Sequence, residues 1–113
     1  MFLIDQNSNI TLTKGDTAIV KLKLIEHDRT FRELRAGEIS EIIVKPYAAF
    51  DEANIKQFEN GFIVSADDPN YIIIEPEYTR NMKAVDYVYS VRVQTESGDI
   101  YTVIPIRRFK LTN

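Results

Sequence analysis

Two segments of the chain alternate between apolar and polar side chains, and this period of two constrains the fold more than any other feature. In residues 18–24 every even position is aliphatic, and the odd positions hold Ile19 and two lysines, Lys21 and Lys23. In residues 87–94 the odd positions hold Tyr87, Tyr89, Val91 and Val93. Successive side chains of a β-strand point to opposite faces, so both segments are predicted strands with one buried face.

Further strands are predicted where β-branched residues cluster between turn signals. Residues 42–44 and 72–74 are such clusters. Four short segments have the composition of tight turns: residues 14–16, the pair Asn60 and Gly61, residues 67–70 and residues 96–99. Strands are therefore expected on both sides of each of these turns.

Three other segments are less regular. Residues 26–37 are polar and are interpreted as a long loop. Residues 51–58 fit either a short helix or a strand, and a strand is favoured because an Asn-Gly hairpin needs two arms. A brief helical turn is expected at residues 77–80, after Pro76.

The last predicted strand, residues 100–111, changes the parity of its apolar residues near Arg107 and Arg108. This slip predicts a β-bulge at that point. Pro105 has no N–H to donate to a ladder, so the strand is expected to be kinked or to lie at a sheet edge.

Together these signals predict about seven short strands and no long amphipathic helix. The expected fold class is all-β, as an immunoglobulin-like β-sandwich of about seven antiparallel strands with Greek-key connections. The 113 residues fit one domain, residues 1–113.

Composition excludes several classes of function. The chain has no Cys, which removes disulfides and thiolate metal sites. Its formal net charge of −3 disfavours nucleic-acid binding, which needs a basic surface. The start of the chain lacks the pattern of a signal peptide, and no segment approaches the roughly 18 apolar residues of a membrane span. We therefore expect a soluble chain made in the cytoplasm.

Candidate chemistry is sparse. His27 is the single histidine, and one histidine without cysteines is a poor supply of zinc ligands. Residues 67–70 carry the oxygens that calcium prefers, but they also have the composition of an ordinary turn, which is favoured. Glu75 and Glu77 are spaced to share one face of a strand, as a carboxylate pair would, although solvated charges are the favoured interpretation. The sequence therefore predicts no catalytic residue, no cofactor and no metal site, and hence a protein that is not an enzyme.

A basic cluster near the end of the chain has two interpretations. Arg107, Arg108 and Lys110, with Tyr101 and Phe109 nearby, could stack on and pair with a nucleic acid. The same charges would protect an edge strand from unwanted pairing, and the acidic balance of the chain favours this second interpretation.

Tyr87 and Tyr89 stand near the start of the predicted penultimate strand. In immunoglobulin-like sandwiches a tyrosine at this place often ties down the preceding corner. Plain core packing of two large rings is the equal alternative. Both interpretations are structural.

The order of these motifs resembles a known family, the N-terminal domain of the upper baseplate proteins of tailed phages of Gram-positive bacteria. The similar segments are residues 10–17 with their Lys-Gly-Asp turn, residues 34–37, residues 42–45, the Asn60 and Gly61 hairpin, residues 71–79, the tyrosine strand 86–93 and the closing hairpin 95–102. The chain departs from the family pattern at Val85, where the family often has Gly, and at Pro105, which interrupts the last strand.

The resemblance implies a non-catalytic structural protein of the virion, located in the tail or baseplate and bound to other tail proteins. A homo-oligomer, either a trimer or a hexamer, is expected on the same basis. The segment Phe2–Ile4 either completes the core sheet, which is favoured, or offers an apolar docking patch. The alternative function is a carbohydrate- or cell-surface-binding module, for which the aromatic candidates are Tyr47, Phe50, Tyr78 and Tyr101.

Overall fold

A computed structural model describes residues 1–22, 24–25, 31–32, 34–46, 61–66 and 71–113. The strands are β1 (Phe2–Ile4), β2 (Ile10–Thr13), β3 (Ala18–Lys21), β4 (Leu24–Ile25), β5 (Phe31–Arg32), β6 (Ile39–Pro46), β7 (Phe62–Ala66), β8 (Tyr71–Ile74), β9 (Asp86–Gln94) and β10 (Ile100–Thr112). One helical turn, α1 (Pro76–Thr79), follows β8. The described residues are thus mostly β-strand, which confirms the all-β class and the helical turn expected after Pro76.

The strands form a six-stranded sheet in the order β1-β2-β10-β9-β6-β7 and two separate pairs, β3-β8 and β4-β5. The expectation of antiparallel strands throughout is wrong at one pair, because β2 and β10 run parallel. Parallel neighbours need a long connection. Here β3 and β8 lie outside the large sheet, while β6, β7 and β9 lie in it, and β10 then runs beside β2 in the same direction.

A single apolar core joins the large sheet to the β3-β8 pair. The alternating pattern of residues 18–21 is confirmed, since Ala18 and Val20 are buried while Ile19 and Lys21 are exposed. The tyrosine strand shows the same behaviour on its odd positions, all of which are buried: Tyr87, Tyr89, Val91 and Val93. Burial of one face in each strand is what fixes the register of the strands, because a slip of one residue would turn every apolar side chain outward.

The helical turn α1 is attached to the core layer by a buried hydroxyl. Thr79 is fully buried, and its Oγ1 accepts a hydrogen bond from the Gly15 N–H at 3.0 Å. Gly15 has φ +79°, in the left-handed region that glycine enters at no steric cost. The predicted turn between β2 and β3 is therefore confirmed and is held against α1.

The irregularity of β10 is confirmed near the expected place, and a second one lies closer to the start of the strand. The register with β9 shifts between Thr102 and Ile104, and again between Ile104 and Arg107. Each shift adds one residue to β10, as a β-bulge does: the second ends at Arg107, as expected, and the first was not expected. Both Val103 and Ile104 pack against the core, and the extra residue at a bulge allows adjacent side chains to do so.

β1 lies at one edge of the large sheet and pairs with β2. Phe2 packs against the core, while Leu3 and Ile4 are exposed. The segment therefore completes the sheet, as favoured, and also presents apolar side chains to solvent.

Candidate functional site

The sequence-predicted chemical candidates do not converge on a site. His27, the turn at residues 67–70, residues 51–58, and the Asn60 arm of the predicted hairpin lie outside the described residues. Glu75 and Glu77 are both exposed. They do not share a strand face, since Glu75 is the N-cap position of α1 and Glu77 lies in its first turn. The exposure of both side chains agrees with the favoured interpretation as solvated charges, and the alternative of a carboxylate pair on one strand face is wrong.

Metal-binding groups are not clustered in the part of the chain that the structure describes. No group of three His, Cys, Asp or Glu side chains lies close enough together there to hold a metal ion. Structural and catalytic metal sites generally need three or more protein ligands. No metal chemistry can therefore be derived from the described ranges.

A shallow depression of about 470 Å³ lies between the turn before β6 and the hairpin that joins β9 to β10. Glu38, one of the residues that line it, is 7% exposed, and its Oε1 accepts a hydrogen bond from the Arg35 N–H at 2.6 Å. Gly37 adopts φ +83° in this turn. The carboxylate thus closes a tight turn, which is a structural role.

The hydroxyls of the two tyrosines of β9 bond to backbone carbonyls, one in the segment before the strand and one in a distant loop. Tyr87 Oη donates to the Lys83 carbonyl oxygen at 2.9 Å, which ties the start of β9 to the segment just before it. Tyr89 Oη donates to the Ser8 carbonyl oxygen in the loop between β1 and β2. Both rings are nearly fully buried. For Tyr87, both interpretations made from the sequence therefore apply, because its hydroxyl bonds to the preceding segment and its ring packs in the core.

The loop between β1 and β2 is built around Asp5. Its Oδ1 accepts hydrogen bonds from the N–H groups of Asn7 and Asn9, at 2.8 Å and 2.9 Å. The Asn9 N–H bond is the largest influence on Asp5 and lowers the pKa of this carboxyl. An aspartate that gathers nearby backbone N–H groups in this way makes a compact turn.

The basic residues at the end of β10 hold this loop in place. Arg107 Nε donates to the Asn7 carbonyl oxygen at 3.0 Å, and the Arg108 N–H donates to Asn9 Oδ1 at 3.1 Å. Arg107 therefore uses its guanidinium in a structural contact, whereas Arg108 contributes only its backbone N–H. This pairing was not predicted from the sequence, because about 100 residues separate the partners. The available signal was the segment from Asp5 to Asn9, whose turn-forming residues indicate a tight loop.

Tyr89 predicts a specific dependence of stability on pH. Burial raises the pKa of Tyr89 to about 12, against the opposing effect of the Arg107 guanidinium. Between pH 10 and pH 12 the unfolded chain therefore loses a proton that the folded chain keeps, so the free energy of unfolding falls as pH rises. We expect this fall to be shallower in Tyr89→Phe, as measured by urea denaturation at a series of pH values.

The Tyr89→Phe variant also serves as its own control at neutral pH. At that pH the Tyr89 hydroxyl of the unmodified protein is protonated in both the folded and the unfolded chain. The free energy of unfolding of the variant should be lower by about 1–3 kcal/mol, because the Ser8 carbonyl loses a buried partner. Identical slopes for the two proteins above pH 10 would contradict the assignment of the high pKa to Tyr89.

Exposed apolar side chains are concentrated on the large sheet. Ten large apolar residues of the described chain are exposed, and seven of these lie in the six-stranded sheet: Leu3, Ile4, Ile39, Ile63, Ile100, Tyr101 and Ile106. On the outer face, an ion pair joins Arg92 Nη2 to Glu41 Oε1 at 2.7 Å. The candidate site for contact with another protein is therefore the outer face of this sheet together with the N-terminal half of its strand β10.

The aromatic candidates for glycan binding are not all available. Tyr78 packs against Phe62 with ring centroids 5.3 Å apart and is partly buried against the core. Tyr101 is 57% exposed. Tyr47 and Phe50 lie outside the described residues. The described chain thus offers one freely exposed ring from the four candidates.

A comparison of the chain with protein-family models, with curated protein sequences and with solved structures finds no match. Within the described ranges, no helix has the length and apolar character needed to cross a lipid bilayer.

Proposed function

We propose that this chain is a non-catalytic structural module of a tailed-phage virion, which attaches to other proteins of the tail or baseplate. The observation that carries the attachment role is the concentration of exposed apolar side chains on the six-stranded sheet. Three of these side chains, Ile100, Tyr101 and Ile106, lie on one strand, β10, and contiguous exposed apolar surface of this kind marks contact sites of soluble proteins. The phage assignment itself rests on the sequence resemblance, which runs from about residue 10 to residue 111.

We further propose that the fold is an immunoglobulin-like sandwich with Greek-key connections. Consecutive strands β2 and β3 belong to different sheets, as do β7 and β8, so the chain passes repeatedly between the two layers. The bond from the Tyr87 hydroxyl to a carbonyl four residues upstream is similar to the tyrosine corner of such sandwiches. Both features support the proposal and are independent of each other.

The role in a virion can be tested on particles from the source strain. After induction of the prophage, particles are purified on a density gradient and labelled with gold-conjugated antibodies raised against this chain. We expect label at the tail tip, in a stoichiometry of three or six copies per particle by quantitative mass spectrometry, because tail assemblies repeat in multiples of three.

The control is an antibody against a cytoplasmic protein, which should label no particle. If the chain is expressed in induced cells but absent from purified particles, the virion role is wrong. Binding of the purified chain to a glycan array, together with that absence, would instead support the carbohydrate-binding alternative.

A further inference from the structure

The N-terminal half of β10 has one free side in the part of the chain that the structure describes. β9 pairs with β10 from Ile100 to Lys110, whereas β2 covers its other side only from Phe109 to Thr112. Within the described ranges, residues 100–106 therefore have no partner strand on this side, although the Ile106 carbonyl accepts a bond from Arg107 Nη1. An edge without a partner strand is a template for another strand.

This free edge carries no charged side chain. The seven residues 100–106 are uncharged in a chain whose charged residues make up 27% of the total. Ile100, Tyr101 and Ile106 are exposed, at 55%, 57% and 46%. Natural edges are usually protected by charges within the strand, and this one has its charges only at the ends.

The charges at the two ends have opposite signs, and their spacing is symmetric. Asp99 precedes the uncharged segment and Arg107 follows it, each four residues from Val103. Both of these side chains reach the surface, and Arg107 is held there by its bonds to the Asn7 and Ile106 carbonyls. Two copies of this segment placed antiparallel can therefore bring the acidic end of each copy opposite the basic end of the other.

We propose that a second copy of this chain binds along the free edge, with the two β10 strands antiparallel about a two-fold axis at Val103. This register places Asp99 of each copy opposite Arg107 of the other, so the charge pair occurs twice. It also places Ile100 opposite Ile106, which covers the exposed apolar side chains. Such a contact is isologous, meaning that each copy offers the same patch.

Other pairings of the same edge are less favourable. A parallel pairing in register would place Asp99 beside Asp99 and Arg107 beside Arg107, and like charges directly opposite are destabilising. A shift of the antiparallel register by two residues would move both acids away from both arginines. Charge complementarity therefore selects the register centred on Val103.

Pro105 and the two bulges limit the length of this contact. Pro105 cannot donate to the ladder, and the bulges interrupt regular pairing. The interface is consequently short and reversible. Because the contact has two-fold symmetry, each copy pairs its free edge with the other, and no free edge remains for a third copy. The inference does not rest on the proposed virion role, although a two-fold contact would also fit within a hexamer of dihedral symmetry.

The test is sedimentation velocity of the purified chain over a wide concentration range at low salt. We expect a monomer–dimer equilibrium that weakens when salt is added, since the charge pairs are at the surface. A chain that stays monomeric up to about 1 mM, which corresponds to an association free energy weaker than about 4 kcal/mol, would overturn the proposal.

Charge reversal tests the register. Asp99→Arg places two arginines opposite each other at both ends, and we expect at least a tenfold weaker dimer, about 1.4 kcal/mol. The double variant Asp99→Arg with Arg107→Asp restores opposite charges and should recover dimerisation. Recovery supports the register, whereas a double variant that is folded by circular dichroism and still monomeric overturns it.

A matched pair of apolar variants tests the location. Ile100→Lys puts a charge on the free edge, while Ile19→Lys puts the same charge on an exposed isoleucine of β3, in the other sheet. We expect the first variant to lose the dimer and the second to keep it. Equal effects of the two variants would place the contact elsewhere and overturn the proposal.

Discussion

Replacing Phe109 by Ala is expected to lower the free energy of unfolding by about 3–5 kcal/mol, the usual cost of emptying a large aromatic site in a core. Phe109 is fully buried in β10, where it lies between Ile10 of β2 and Tyr87 of β9 in the ladder. Its ring makes edge-to-face contacts with Phe62 and Tyr89, at centroid distances of 6.2 Å and 6.1 Å. The substitution leaves a cavity in the core against the inner face of the large sheet, and neighbouring rings fixed by their own contacts cannot collapse into it.

The measurement is urea denaturation of both proteins, followed by circular dichroism. Typical domains of this size have a total stability of about 5–15 kcal/mol, so a loss of this size is a large part of the whole. The matched control is Lys110→Ala, the next residue of the same strand, which is exposed and should change stability by less than about 0.5 kcal/mol. If Phe109→Ala cost no more than this control, the described core around Phe109 would be wrong.

Replacing Gly37 by Ala is expected to cost about 2–3 kcal/mol, from two separate causes. Gly37 has φ +83°, a left-handed conformation that costs an L-residue about 1–2 kcal/mol. A Cβ at this position would also lie 2.9 Å from the Cβ of Glu96. A Cβ is fixed by its own backbone, so rotation of the glutamate side chain cannot relieve the contact, and one of the two turns must shift.

Gly15 provides the matched control for the conformational cause. It has a similar φ of +79°, but a Cβ there meets nothing within 4 Å. Gly15→Ala should therefore show only the conformational cost, and the difference between the two variants measures the contact with Glu96. Combining Gly37→Ala with Glu96→Gly should remove that difference; a double variant as unstable as the sum of the single variants would show that the contact has no effect.

The amino-acid sequence alone determined the features that depend on neighbouring residues. The alternation in residues 18–21 and in the tyrosine strand predicted which side chains are buried, and the structure confirms these positions. Pro76 predicted the helical turn after β8. These features follow from local sterics and from the period of two, both of which can be read within a few residues.

The features that depend on distant residues were decided only by the tertiary structure. The parallel pairing of β2 with β10, the contact of Arg107 with Asn7 and the close approach of Gly37 to Glu96 each join segments far apart in the chain. Val88 is 4% exposed although its parity places it on the outer face, opposite Lys45 and Arg108. Local patterns state that a strand has a buried face, but which strand becomes its neighbour is settled by the packing of the whole chain, because sheet pairing is non-local.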